Sequence, residues 1–388
     1  MTTAFIRPDV LLWARLRAQI EPDILAKKAN IKPEKLRLWE HGEEKPTFKQ
    51  AQNLARILHI PFGYLFLQSP PQETFPLPDL RTIGDHPTGE YSPNLKDLVA
   101  DILRKQDWYR DYLINQGAEP ISFIGRFKLN AGIADVAADM SETLQLTPAD
   151  RDKVTNWEGF LRLLIDKGED AGIWVMRSGI VASDTHRTLS VEEFRGFAIC
   201  DDIVPAVFIN GTDAKAAQIF TLVHEFAHLW FGESGISNLS LDQPVTAAYR
   251  DAEKKCNAVA AEVLVPEASL RENWKTNESV EQNLSRLSGY YRVSTVVIAR
   301  KAFDTNLIDW QTYAEYYKQQ AAKWREEKET PGFGGNFHLN LPLKNGRHFL
   351  FAVVQSALQN DLLLRDAGRL LNISPSKIID LPEKIGMK

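Results

Sequence analysis

Cysteine and long apolar runs are both scarce in this chain of 388 residues. Its two cysteines, Cys200 and Cys256, are too few for a disulfide framework, so we expect a reducing compartment, the cytoplasm. No segment approaches the roughly 20 apolar residues that a membrane helix needs. Residues 1–10 also lack the basic start and apolar core of a signal peptide. We therefore expect a soluble protein with no membrane partner.

A strong excess of charge of one sign is absent as well. The net charge is −5, with 25% charged and 44% hydrophobic residues, which is the balance of a soluble globular protein. This balance argues against a chain that coats nucleic acid along its whole length. Residues 1–70 differ, because they contain eleven Lys and Arg against seven Asp and Glu. This local excess of positive charge is compatible with one basic domain in an otherwise acidic chain.

The length allows two or three domains. Residues 1–70 have the pattern of short helices broken at prolines, and residues 71–94 form a proline-rich linker. Residues 95–330 form the main domain, and residues 331–388 form a C-terminal subdomain after a glycine-rich break. Within the main domain, short β-type runs near 172–176, 195–199 and 206–209 predict a small sheet of at least three strands. We predict a mostly helical α+β fold.

One predicted helix, residues 214–231, contains His224-Glu225-Phe226-Ala227-His228. Positions i and i+4 share a helix face, so the two histidines can bind one metal ion. Glu225 lies one step around the helix, where it can reach a water bound to that ion but is poorly placed to bind the ion itself. Metal-assisted hydrolysis requires this arrangement. The structural alternative is an apolar helix with two hydrogen-bonded core histidines.

A catalytic zinc ion needs three protein ligands and one open position. The predicted helix 247–264 offers Asp251, Glu253 and Glu262, and spacing alone does not choose among them. The oxyanion-stabilising residue is also open, with Tyr249, Arg250, His186 and His338 as candidates.

The run from residue 253 to 266 (EKKCNAVAAEVLVP) resembles the second motif of the ImmA/IrrE family of zinc metallopeptidases. The resemblance implies a zincin-like domain in which Glu253 is the third zinc ligand and Asn257 lies behind the ligands and orients one of them. Cys256, Val259 and Val263 depart from the usual motif but stay small or apolar. We interpret Cys256 as a packing residue, with a redox role as the alternative.

Family resemblance also implies an activity. Glu225 would be the general base of a peptidase whose substrate is a specific regulatory protein, a repressor or an antitoxin-like regulator. A sheet edge would hold that substrate as an added strand, and residues 204–210 are the candidate edge. The alternatives are a transcriptional regulator or antitoxin that keeps the zinc site but acts by binding, and a metallohydrolase with a non-protein substrate.

Residues 10–66 resemble the XRE type of helix-turn-helix, through matches at Leu25-Ala26, Ile31, Leu36, Trp39-Glu40-x-Gly42, Pro46, Leu54-Ala55 and Ile60-Pro61. In such folds the third helix meets double-stranded DNA, which makes Lys32, Lys35 and Arg37 the candidate contacts. Pro22-Asp23 replaces a usual Gln, and Glu34, Glu43 and Glu44 bring negative charge. The alternative is a protein-docking or dimerisation surface, which leaves a homodimer open. Residues 362–374 also resemble a helix-turn-helix, but their acidic flanks favour a substrate-docking or structural role.

Overall fold

The computed structural model describes residues 2–73, 75–77, 82–83, 86–87, 91–237, 251–327 and 337–386. Contacts divide the chain into two compact units. The first comprises Met1–Pro76 with Gly89–Val99, and the second comprises Leu77–Thr88 with Ala100–Lys388. No helix in the described part of the chain is long and apolar enough to cross a membrane.

The first unit is built from short helices around one apolar core. They are α1 (Pro8–Arg17), α2 (Pro22–Ala29), α3 (Pro33–Glu40), α4 (Phe48–Ile57) and a 3-10 turn (Phe62–Phe66). Trp39 and Leu36 of α3 are buried in this core. Arg15 of α1 donates two hydrogen bonds to the Glu40 carboxylate, at 2.7 and 3.2 Å. Because both side chains are largely buried, this charged pair ties α1 to α3.

A tight turn joins α2 to α3. Asn30 ends α2 in the left-handed conformation with φ 56°, and α3 then begins at Pro33. Asparagine tolerates this conformation. Proline suits the first position of a helix because a backbone N–H at that position would have no partner within the helix. The assignment of this unit to the helix-turn-helix class stays a prediction.

The second unit contains the remaining elements. Its helices are α5 (Pro93–Asn115, which begins in the first unit), α6 (Ile133–Thr143), α7 (Pro148–Asp152), α8 (Trp157–Asp170), α9 (Lys215–Phe231), α10 (Asp251–Leu264), α11 (Glu267–Asn273), α12 (Val280–Tyr291), α13 (Thr295–Asp304), α14 (Trp310–Glu327), α15 (Phe337–Asn345), α16 (Arg347–Leu358), α17 (Leu364–Leu371), a 3-10 turn (Pro375–Lys377) and α18 (Leu381–Ile385). Its strands are β1 (Thr82–Ile83), β2 (His86–Pro87), β3 (Trp174–Ser178), β4 (Gly196–Ile199), β5 (Ala206–Asn210) and β6 (Gly235–Ser237). The predicted mostly helical α+β class is confirmed.

The main sheet is mixed and has the order β3-β5-β4-β6. β3 and β5 run parallel, whereas β4 is antiparallel to both β5 and β6. The sequence pattern indicated the first three of these strands but not β6. Strand β5 lies inside the sheet, so the prediction that residues 204–210 form a substrate-binding edge is wrong.

Helix α9 packs between the sheet and α8 and α10, at the centre of the largest apolar cluster. Residues 218–231 of this helix are all buried. The helix ends at Gly232, which adopts φ 70°, a conformation that glycine reaches without strain. Trp230 stacks on Phe123 near this end, with ring centroids 4.2 Å apart. The helix that carries the His-Glu-x-x-His sequence is therefore fixed on every side.

Helices α12 and α13 follow one another with only three residues between them. Helix α12 stops at Arg292, which is left-handed with φ 57°, and Ser294 then caps α13 by accepting a hydrogen bond from the N–H of Val297. A non-glycine residue rarely adopts this conformation, and here it marks the break between the two helices.

Candidate metal centre

Two adjacent helices build the site. Helix α9 brings the Nε2 atoms of His224 and His228 within 3.0 Å of each other. Helix α10 places Glu253 opposite them, with its two carboxylate oxygens 3.2 Å from His224 Nε2 and 3.1 Å from His228 Nε2. All three side chains are buried. The described residues contain no other group of three possible ligands with this convergence.

The geometry of this group fits a metal ion. Its candidate ligand atoms all lie within 4.8 Å of one another. Zinc binds nitrogen and oxygen at about 2.0–2.1 Å, so two ligands at a tetrahedral angle are about 3.3 Å apart. The observed separations of 3.0–3.2 Å are close to that value. Two imidazoles and a carboxylate are also a common ligand set for catalytic zinc.

The electrostatics favour the protonation states that a metal requires. Burial lowers the pKa of His224, although Glu253 and Asn257 oppose this, so the imidazole is neutral at pH 7. Burial alone would raise the pKa of Glu253, but the two histidines outweigh it and hold the carboxyl well below its usual range. Neutral imidazoles and an ionised carboxylate are the forms that bind a cation.

Glu225 is fully buried and lies against strand β4. A Cβ added to Gly196 would lie 2.9 Å from Oε1 and 3.1 Å from Cγ of Glu225, and 2.8 Å from Cγ2 of Thr221. The backbone of β4 therefore passes over the Glu225 carboxylate at a distance that only glycine permits. The sequence pattern did not identify Gly196 as part of the site. An isolated glycine inside a strand pattern was the available signal, since it marks a close backbone approach.

Three residues close to the candidate ligands, Asn257, Cys256 and Cys200, differ in their environment. Asn257 lies on α10 close enough to His224 for a hydrogen bond to raise the pKa of that imidazole. Cys256 is fully buried, and burial raises the pKa of its thiol well above the usual value. A buried thiol of this kind is inert and acts as a packing residue. Burial also raises the pKa of Cys200, to about 12, and its Sγ lies 3.8 Å from the carbonyl oxygen of His228.

The acids that competed with Glu253 for the third position lie elsewhere. Asp251 is exposed to solvent. Glu262 forms an ion pair with Lys301 and accepts a hydrogen bond from the N–H of Glu267. The packing of α10 on α9 therefore brings Glu253 alone to the two histidines.

Among the described residues, none of the candidates for stabilising the oxyanion is placed at the site. His186 is exposed, in a turn where its N–H donates to Asp184. Tyr249, Arg250 and the side chain of His338 lie outside the described residues. This role therefore stays unassigned.

The candidate DNA contacts belong to the first unit. Lys32 immediately precedes α3, and Lys35 and Arg37 lie on it. All three side chains are exposed, and the Lys35 ammonium lies 6.0 Å from the centre of the Trp39 ring. The acidic residues noted in the sequence, Glu34, Glu43 and Glu44, are exposed too.

Comparison with known proteins gives two matches to protein families. Residues 169–303 match the family described as the IrrE N-terminal-like domain, Peptidase_M78. Residues 345–382 match a domain family of unknown function. No curated protein and no solved structure matches the chain. The first match includes α9 and α10 with all the residues of the metal centre, so it supports both the resemblance to the ImmA/IrrE family and a metallopeptidase-type function for this part of the chain.

Proposed function

We propose that this chain is a zinc-dependent endopeptidase that cleaves a specific regulatory protein, a repressor or an antitoxin-like regulator. The observation that carries the proposal is the convergence of His224, His228 and Glu253 beside Glu225. A purely structural zinc site needs no general base, so a carboxylate next to the first ligand favours catalysis over a regulator that only binds.

In this proposal His224, His228 and Glu253 hold the ion. Bound zinc would polarise the scissile carbonyl and lower the pKa of a water molecule toward neutrality. Glu225 accepts a proton from that water as its oxygen bonds to the carbonyl carbon. As the peptide C–N bond breaks, Glu225 returns the proton to the leaving amine. Gly196 supports this role because its backbone limits where the Glu225 carboxylate can lie.

The proposal also includes binding of double-stranded DNA by the first unit. Lys32, Lys35 and Arg37 give α3 an exposed basic surface, which suits contacts to phosphates and base edges. A DNA-binding unit on the same chain would bring the peptidase to promoters that its substrate controls. Cleavage of a bound repressor would then change transcription at that promoter.

The decisive experiment compares wild type with Glu225→Gln. The substitution keeps the shape of the side chain and leaves all three metal ligands, so zinc content should stay at about one per chain. It removes the base, which should lower the cleavage rate at least ~100-fold. New N-termini should be labelled and identified by mass spectrometry in cells that express either protein, since this detects cleavage of any protein substrate.

A matched control uses Glu262→Gln, which neutralises a glutamate on the opposite side of α10, in an ion pair with Lys301. This variant should keep both zinc and cleavage. New N-termini that appear with wild type and Glu262→Gln but not with Glu225→Gln would identify the substrate. Identical sets of N-termini from all three proteins, together with unchanged cellular effects, would contradict the peptidase proposal and favour a zinc-containing binding protein.

A further inference from the structure

Strand β4 is the part of the sheet that lies over the proposed general base. Its first residue, Gly196, meets the Glu225 carboxylate at the distances given above. A peptide bond that is to be cut by Glu225 must therefore come close to β4. An extended peptide can do so by adding to the outer edge of this strand through backbone hydrogen bonds.

That outer edge is already paired within the chain. Strand β6 runs antiparallel along it, with Gly196 opposite Ser237, Phe197 opposite Ile236 and Ala198 opposite Gly235. The inner edge of β4 pairs with β5. Both edges of the strand that passes over Glu225 are thus occupied in this conformation.

The burial of the centre agrees with a closed state. His224, Glu225 and His228 each have 0% of their surface exposed, and Glu253 has 1%. A catalytic base must touch the water and the peptide that react. A centre with no exposed side chain cannot bind a protein substrate until a neighbouring element moves.

Strand β6 is suited to such a movement. It contains only three residues and follows the active-site helix after the turn at Gly232. The side chain of Ser234, just before the strand, accepts a hydrogen bond of 2.8 Å from the N–H of Cys200, at the end of β4. A three-residue strand held by few hydrogen bonds has low local stability, which allows it to detach without unfolding the core.

We propose that Gly235–Ser237 is an inhibitory strand, which occupies the place of an extended segment of the protein substrate on β4. The inference rests on the proposed peptidase function. Activation then consists of an exchange in which the substrate strand replaces β6 on the outer edge of β4, the strand that passes over Glu225. The partner that fits this edge is an extended peptide bound mainly through its backbone.

A reversible cross-link tests the proposal. The Ser234 hydroxyl accepts a hydrogen bond of 2.8 Å from the backbone N–H of Cys200, so Ser234→Cys places a second thiol close to a native cysteine. Oxidation with diamide should fix β6 on β4, and reduction with a phosphine, which leaves zinc in place, should release it. Binding is measured with a fluorescent peptide hydroxamate, a probe that must reach both the metal and β4. We expect binding at least ~10-fold weaker after oxidation than after reduction.

Two controls separate the strand from general effects of oxidation and folding. The double variant Cys200→Ser with Ser234→Cys cannot form the cross-link and should bind the probe equally under both conditions. Ile236→Pro and Ser237→Pro restrict the backbone alike, but neighbouring N–H groups of a strand point in opposite directions. One of the two therefore breaks the pairing and should bind the probe more tightly, and the other should resemble wild type.

The outcomes distinguish this inference from the function on which it rests. Equal probe binding by the oxidised, reduced and proline variants, each with one zinc per chain, would overturn the inhibitory strand and leave the peptidase proposal standing. Absence of both zinc and probe binding from every variant, including the released ones, would overturn both.

Discussion

Replacement of Gly196 by alanine tests whether β4 positions Glu225, the proposed general base. The added Cβ would lie 2.8 Å from Thr221 Cγ2, 2.9 Å from Glu225 Oε1 and 3.1 Å from Glu225 Cγ. Ordinary carbon contacts are about 3.5–4.0 Å, so β4 and α9 must separate, or the Glu225 side chain must move, by roughly 0.5–1 Å. Such overpacking typically costs ~1–3 kcal/mol, which a stable domain survives.

The effect on cleavage should be larger than the effect on folding. A misplacement of about 1 Å in a catalytic group can lower the rate ~100-fold. No metal ligand is among the atoms nearest to the added Cβ, so zinc content should not change. The assay combines elemental analysis, thermal denaturation and the rate of cleavage of the substrate identified by its new N-termini.

A second glycine provides the control. Gly289 lies within α12, and a Cβ added there meets no atom within 4 Å. Gly289→Ala should therefore stabilise the chain by roughly 0.5–1 kcal/mol and leave cleavage unchanged. If Gly196→Ala cleaves at the wild-type rate with a full complement of zinc, the argument that β4 fixes the Glu225 carboxylate is refuted.

Three further predictions concern other parts of the chain. Glu253→Ala should sharply reduce the zinc bound per chain by elemental analysis, and normal zinc content would exclude Glu253 as a ligand. Lys35→Ala with Arg37→Ala should weaken promoter binding by the full chain and flatten its salt dependence in gel-shift titrations, whereas an unchanged slope would exclude these contacts. Burial raises the pKa of Glu169 from 4.5 to about 8, so its carboxyl group stays protonated in the folded chain at neutral pH. The free energy of unfolding, measured with urea, should therefore fall by up to ~1.4 kcal/mol per pH unit between about pH 5 and 8. Glu169→Gln should abolish this loss, and an equal loss in the variant would exclude Glu169 as its source.

Local patterns in the sequence predicted much of the centre. The apolar run before Gly232 gave the bounds of α9 almost to the residue, because every turn of that helix is buried. The spacing of His224 and His228 indicated a shared face because residues i and i+4 of any α-helix lie one above the other. The runs that became β3, β4 and β5 were recognisable because they are short, apolar and bounded by breakers.

Features that depend on the packing of distant segments were not predictable in this way. The choice among Asp251, Glu253 and Glu262 depends on how α10 is rotated against α9, which spacing along one helix does not specify. The interior position of β5 depends on pairing between segments far apart in the chain. Strand β6 was missed because three residues are too few for an alternating pattern.

The short connection between α9 and β6 has a consequence for how the proposed peptidase would select its substrate. A strand tethered this closely to its binding edge competes with free peptides at an effective concentration in the millimolar range or higher. A bystander protein that pairs weakly with β4 would not displace it, even if an unfolded segment passes nearby. In the proposed peptidase, only a partner whose affinity for the edge exceeds that of the tethered strand would be cut. The short connection would then set a minimum affinity that a protein needs in order to be cleaved, and weaker binders in the same compartment would be spared.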